Sequence, residues 1–293
     1  MTETANPRVF VTGAKGQLGA AVMAGLAGSA EVIGVDLDDL DITRARDVQQ
    51  LVRGLGPAVM INCAAFNAVD EAERRPLEAM RCNGEAVWTL ASLAEELGAV
   101  LVHYSSDFVF DGSSEAPCTE HDTTGPLSVY GMSKLAGEWA AARASRHYIL
   151  RLSSLYGGHT RRSFVDRIVA LAAADCPVAV FTDRTVSPSY VPDVVGATLA
   201  LVDGRKPFGL YHCVSGGWCT WSEFGHRALA RLGKPHLLEP VSSPASASGA
   251  RRPARCALSN EKLGRAGVPL RHWSEALDHY LTLISDADRT PCE

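Results

Sequence analysis

The sequence predicts an α/β protein built on a doubly wound parallel sheet. Three observations carry that expectation. Apolar runs of strand length alternate with segments of helical periodicity, the order that a parallel sheet requires for its crossover helices. Gly13, Gly16 and Gly19 stand between the first strand and the first helix. The second strand ends on Asp36, closing a βαβ unit of the usual length.

Arg8–Thr12 reads as a buried strand running into the glycine turn, and Gln17–Leu26 continues as an alanine-rich helix. Glu31–Asp36 is the second strand. A helical pattern over Asp47–Leu55 leads to the apolar strand Val59–Ala64, and a second over Glu78–Leu97 leads to Ala99–Tyr104. The pattern loosens after Tyr148–Leu152. A helix over Phe164–Ala174, a loop rich in Pro, Ser and Asp over Thr182–Pro192, and a helix over Val194–Leu201 follow. Leu210–Val214 reads as a strand returning to the sheet. Pro240–Gly249 is a break in composition that predicts a flexible loop, because ordered patterning resumes at Arg251. The organisation expected is a dinucleotide-binding Rossmann-type domain over 1–155, rejoined by a strand near 209–214. A smaller substrate-binding lobe over 156–293 closes over the carboxyl ends of the strands.

Composition narrows the function. Of 293 residues, 46% are hydrophobic and 21% charged, the balance of a folded globular chain. A net charge of −5 and the lack of a basic cluster argue against a nucleic-acid partner. The opening residues Met1–Pro7 carry no basic-then-apolar signal, and no apolar run is long enough to span a bilayer, so a cytoplasmic protein is expected. The eight cysteines are scattered without zinc spacing, which predicts buried free thiols and no metal.

The glycine trio points to a dinucleotide. Absent side chains allow a tight turn and the approach of a pyrophosphate to the helix N-terminus, although the spacing is GxxGxxG and not GxGxxG. Asp36 lies where a carboxylate accepts hydrogen bonds from the adenosine ribose and repels a 2′-phosphate. NADH is therefore favoured over NADPH, with Lys15 in the loop a partial offset and Asp38 and Asp39 read as solvated acids.

Tyr130 and Lys134 are four residues apart in a segment that reads as helical, so both side chains share a face. The ammonium is expected to lower the phenol's pKa, preparing Tyr130 to exchange a proton with a carbonyl or alcohol. A hydroxyl from Ser105-Ser106-Asp107, at the end of a strand, completes a Ser/Tyr/Lys set. Ser105 and Ser106 are both candidates for it. Asn83 either braces the site or packs a helix.

That set resembles the short-chain dehydrogenase/reductase superfamily, and the likeness extends much further. Gly16-Gln17-Leu18-Gly19, Leu40-Asp41-Ile42-Thr43, Ile61 to Glu73, Ser105 to Gly112, Val129 to Glu138, Ser187 to Tyr190, Gly209 to His212 and Arg251-Arg252-Pro253 together resemble the dTDP-4-dehydrorhamnose reductase family. The resemblance implies reduction of the 4-keto group of a nucleotide-linked 4-keto-6-deoxyhexose, dTDP-4-dehydro-L-rhamnose above all. Ser106 would bond the keto oxygen, Tyr130 would protonate it, and Lys134 would hold the nicotinamide ribose. Gly13, Lys15, Gly16, Gln17, Leu18, Gly19, Asp36, Asp41, Ile42, Ala64 and Ala65 would line the cofactor.

Three positions depart from the family pattern. Ser106-Asp107-Phe108 replaces a common Thr-Asp-Tyr, Leu155 stands where Trp is common, and Arg184 stands where Gln is usual. Phe108 and Leu155 are expected in the sugar wall, and Arg184 and Arg252 at a phosphate, with Asp107 beside them. The rival readings are a reductase of another dTDP-deoxysugar, a 4,6-dehydratase, a 4-epimerase, and a regulatory subunit resembling that of methionine adenosyltransferase. Apart from the nucleotide sugar, the partner envisaged is a second copy of the chain.

Overall fold

The computed structural model describes residues 7–158, 160–243 and 249–287. In chain order the protein begins β1 (Arg8–Thr12), α1 (Gln17–Leu26), β2 (Glu31–Val35), α2 (Ala45–Leu55) and β3 (Val59–Asn62). It continues with α3 (Val69–Arg74), α4 (Pro76–Met80), α5 (Ala86–Leu97), β4 (Val100–Ser106), α6 (Val129–Ala141) and β5 (His147–Leu152). The smaller lobe contributes β6 (Leu155–Tyr156), α7 (Phe164–Ala173), β7 (Val178–Phe181), β8 (Thr185–Val186) and β9 (Ser189–Tyr190). Then come α8 (Val191–Asp203), β10 (Gly209–His212), β11 (Cys219–Thr220), α9 (Trp221–Arg231), β12 (Leu238–Val241), β13 (Arg255–Cys256), α10 (Glu261–Arg265) and α11 (Trp273–Ala287).

Six strands form one parallel, Rossmann-like sheet in the order β10-β5-β4-β3-β1-β2. Successive strand residues face opposite sides. Val9, Val11 and Ile61 therefore meet α1 and α8 on one face, while Phe10, Met60 and Leu101 meet α2, α5 and α6 on the other. A separate core of Tyr156, Tyr190, Phe224 and Tyr280 holds the smaller lobe together. The expected return of a strand to the sheet is found as β10, paired in parallel with β5.

Helix ends follow the sequence chemistry. Gly56 and Gly98 take left-handed conformations at the ends of α2 and α5. Ser163 and Asp166 form a reciprocal capping box on α7, and Ser128 caps α6 by accepting from Gly131 N.

Three expectations need correction. The helix expected over 78–97 is interrupted by a π-helical segment, Arg81–Glu85, which widens one turn where α6 presses on it. The loop expected over 182–192 contains β8 and β9, because this backbone pairs with β11, β13 and β6. β4 runs two residues past Tyr104, so Ser105 and Ser106 belong to the strand and point to opposite sides. The expected loop over 240–249 lies partly outside the described residues. Among the described residues no helix is long and apolar enough to cross a membrane.

Candidate active site

Three cavities run end to end along the carboxyl edge of the sheet. The first, of about 400 Å³, is lined by Gly13, Lys15, Gly16, Asp36, Asp41, Ile42, Ala64 and Ala65. The second, of about 340 Å³, holds Gly16, Gln17, Leu18, Gly19, Ser106, Asp107, Tyr130 and Lys134. The third, of about 680 Å³, lies between the sheet and the smaller lobe and is lined by Phe108, Arg167, Arg184 and Arg252 among others. Neighbouring cavities share walls: Gly16, Ala64 and Ala65 at one junction, and Ser106, Asp107, Tyr130 and Ser154 at the other.

The first two cavities fit a dinucleotide. Gly13 has φ +67°, and a Cβ there would come within 2.6 Å of Ala64 N. A Cβ on Gly19 would meet Gly13 O at 2.0 Å, so α1 can pack against the turn only through glycine. No side chain caps α1 at Gly16, which leaves first-turn N–H groups for an anion. Asp36 is held in place by Lys15 N on Oδ2 and Leu37 N on Oδ1, both at 2.8 Å. The reading of Asp38 and Asp39 as merely solvated needs revision. They flank the Lys15 ammonium at 3.3 and 3.4 Å, so that charge is already matched before any phosphate arrives.

The cleft floor is tied to α6 by Asn83, from the π-helical segment. Its Oδ1 accepts from Phe66 N at 2.8 Å, and its Nδ2 donates to Ser133 Oγ at 2.8 Å. Asn83 therefore braces the loop bearing Ala64 and Ala65 against the helix bearing Tyr130 and Lys134.

Tyr130 occupies the first turn of α6, half-buried and edge-on to Phe108 at 5.7 Å. Lys134, one turn on, is 3% exposed, and its Nζ donates to the Tyr104 carbonyl at 2.6 Å. Burial pulls this ammonium down to about 8. The expectation that it lowers the phenol's pKa is overturned: burial pushes Tyr130 up to about 12.

Strand alternation separates the two serines. Ser105 Oγ donates to Glu138 Oε1 at 2.6 Å, inside a network in which Glu138 also pairs with Arg151 at 2.7 Å. That hydroxyl is committed to the protein interior. Ser106 Oγ lies in the trough beside Tyr130, donating to Asp107 Oδ1 at 2.9 Å and accepting from Phe108 N at 3.2 Å. Asp107 also accepts from Ser153 Oγ at 2.7 Å, and its burial raises the carboxyl to about 6.

The predicted substrate residues divide. Phe108, Arg184 and Arg252 line the large cavity. Leu155 does not: β6 pairs with β9, Tyr156 enters the core of the smaller lobe, and Leu155 turns the other way, onto the glycine-loop cleft. Arg184 donates to Ser243 Oγ at 2.5 Å and stacks over Phe181. Arg252 is not a freely solvated arginine, for Nη2 pairs with Asp70 of α3 at 2.7 Å, joining the two lobes. Arg167, on α7, went unnoticed in the sequence. It reaches the same cavity, and its guanidinium has no ion pair or hydrogen bond among the described residues. Nothing in its spacing separates it from a surface arginine. Among the described residues no cluster of three or more His, Cys, Asp or Glu could hold a metal.

Comparison with known proteins shows the same likeness along nearly the whole chain. The family described as RmlD substrate binding domain matches residues 7–285. The dTDP-4-dehydrorhamnose reductase of Streptomyces griseus is 38% identical over 286 residues, covering 94% of each chain. A dTDP-4-keto-6-deoxy-D-glucose reductase of Streptomyces niveus is 34% identical over 283 residues, with 95% of this chain and 98% of that one covered. The crystal structure of Bacillus anthracis dTDP-4-dehydrorhamnose reductase in complex with NADP superposes with a TM-score of 0.90 at 30% identity, covering 95% of this chain and 99% of that one.

Proposed function

This chain belongs to the dTDP-4-dehydrorhamnose reductase family of NAD(P)H-dependent oxidoreductases, and from that premise we propose that it reduces dTDP-4-dehydro-L-rhamnose to dTDP-L-rhamnose. The observation that carries the reading is the junction of two cavities at Tyr130 and Ser106. It brings a cofactor-sized cleft and a sugar-sized cavity to one phenol. When bound, the nicotinamide supplies a hydride to the carbonyl carbon. Tyr130, protonated at neutral pH, gives its proton to the carbonyl oxygen as the C=O pair moves onto that atom, and is later reprotonated from water. Ser106 hydrogen-bonds the same oxygen. Lys134 provides positive charge one turn away as the phenolate forms.

Arg167, Arg184 and Arg252 suit the diphosphate, which a guanidinium holds by paired charge-assisted bonds. Asp36 favours NADH over NADPH, since Lys15 is already matched by Asp38 and Asp39. A second reading, reduction of another dTDP-linked 4-ketosugar, is favoured by the Streptomyces niveus relative and by Phe108 in the cavity wall. The test is a panel of dTDP-4-ketosugars followed by NADH and NADPH absorbance, with products assigned by NMR. Turnover of dTDP-4-dehydro-L-rhamnose at highest kcat/KM supports the first reading, whereas failure to oxidise either nicotinamide with any member would sink both.

A further inference from the structure

Ser106 has a single proton, and the structure commits it backwards. Oγ donates to Asp107 Oδ1 at 2.9 Å while accepting from Phe108 N at 3.2 Å. The other carboxyl oxygen, Oδ2, accepts from Ser153 Oγ at 2.7 Å. A carboxylate has no proton to return, so both serines are fixed as donors to it. Ser106 then presents only lone pairs to the trough. A carbonyl oxygen also presents only lone pairs, so the hydroxyl cannot assist it in this arrangement.

We propose that Asp107 is a positioning residue for the reduction, whose protonated form donates to Ser106 and turns the serine proton towards the carbonyl oxygen beside Tyr130. The proposal rests on the functional reading above. It requires a change of proton positions only. Protonated Oδ1 donates to Ser106 Oγ, Phe108 N keeps its acceptor, Oδ2 still accepts from Ser153, and the serine O–H is released forward. Ser106, Asp107 and Tyr130 all line both cavities, so the redirected proton lies where the two ligands meet.

The surroundings bring this exchange into the mildly acidic range. Asp107 is 5% exposed, and no cation pairs with it among the described residues. The groups facing it are the Ser106 hydroxyl at the end of β4, the Ser153 hydroxyl after β5, the Tyr130 phenol of α6 and the Cys256 thiol of β13. Burial keeps the thiol and the phenol protonated. Arg184 acts on Cys256 from the lobe side, and Lys134 is turned to the Tyr104 carbonyl. Burial consequently raises the Asp107 carboxyl to about 6. Its charge also raises Tyr130, so neutralising Asp107 makes the phenol a readier donor.

The sign follows. Reduction is fastest with Asp107 protonated and declines as pH rises through about 6, approaching tenfold per unit above it. In Asp107→Asn the amide permanently donates to Ser106 and its oxygen accepts from Ser153. That variant should lose the decline near 6 and keep the one set by Lys134 near 8. Initial rates with dTDP-4-dehydro-L-rhamnose and NADH across that range read both limbs, and an unchanged profile in Asp107→Asn overturns the proposal. A second measurement needs no turnover. In Ser106→Ala the carboxylate loses a donor, so the Asp107 midpoint, followed by carboxyl 13C NMR, should rise by roughly one unit. An unmoved midpoint also overturns the proposal. A midpoint that moves in a protein that reduces no 4-ketosugar would instead sink the functional reading and leave the Asp107–Ser106 coupling standing.

Discussion

Burial raises Tyr130 and keeps its proton in place at neutral pH, so on the proposed reading removing its oxygen removes the proton source and little else. Tyr130→Phe should lower kcat by roughly a hundredfold to ten-thousandfold, while the NADH dissociation constant read by fluorescence titration stays within about twofold. Lys134 behaves in the opposite sense. Its depressed pKa means that the ammonium charge is lost as pH rises through about 8, and reduction should fall with it. Lys134→Arg, which stays charged, should remove that alkaline limb even if its peak rate is lower. Asp36→Ala should narrow the ratio of kcat/KM for NADH over NADPH, and a wild-type enzyme preferring NADPH would contradict the role given to this carboxylate. The residue types were legible in the sequence because the spacing of Tyr130 and Lys134 needs only helical geometry. The direction of the phenol's shift was not, since burial is decided by the walls that distant segments build. Arg167 was illegible for the same reason.

At the scale of elements, α6 carries Tyr130 and Lys134 and sits against its neighbours through glycine. A Cβ on Gly137 would lie 2.3 Å from Asn83 O and 2.9 Å from His103 Nε2. Gly137→Ala should therefore destabilise the protein by about 1–3 kcal/mol in urea unfolding, despite the better helix propensity of alanine. Activity should fall further than stability alone explains, because the helix that moves holds Tyr130. The strands and most helices were legible from apolar runs and periodicity. The π-helical segment was not: helical periodicity continues on both sides of Arg81–Glu85, and the widened turn answers to contact with α6. β8 and β9 escaped notice because two-residue strands carry no alternation to read.

Over the whole molecule, buried charge ties the sheet to one of its helices, and more exposed charge joins the lobes. Arg151 and Glu138 pair at 3% and 6% exposure, with His212 of β10 against the guanidinium at 3.3 Å, which binds the returning strand to α6. Arg252 and Asp70 pair closer to the surface, across the large cavity's rim. Arg167→Ala and Arg252→Ala should each raise KM for the nucleotide sugar by about tenfold to a hundredfold, the worth of a charge-assisted bond. KM for NADH should stay unchanged, and an equal rise in both would show that the arginines act through lobe packing. The return of β10 to the sheet was legible, whereas the closure of Arg252 onto Asp70 joins residues far apart in sequence and left no local trace. Among the described residues, the second and third cavities meet at Ser106, Asp107, Tyr130 and Ser154. This makes the enzyme modular for an engineer. On the proposed reading, walls around Phe108 and Arg184 can be redrawn for a different sugar, and walls around Asp36 for a different coenzyme, while the chemical step is left alone between them.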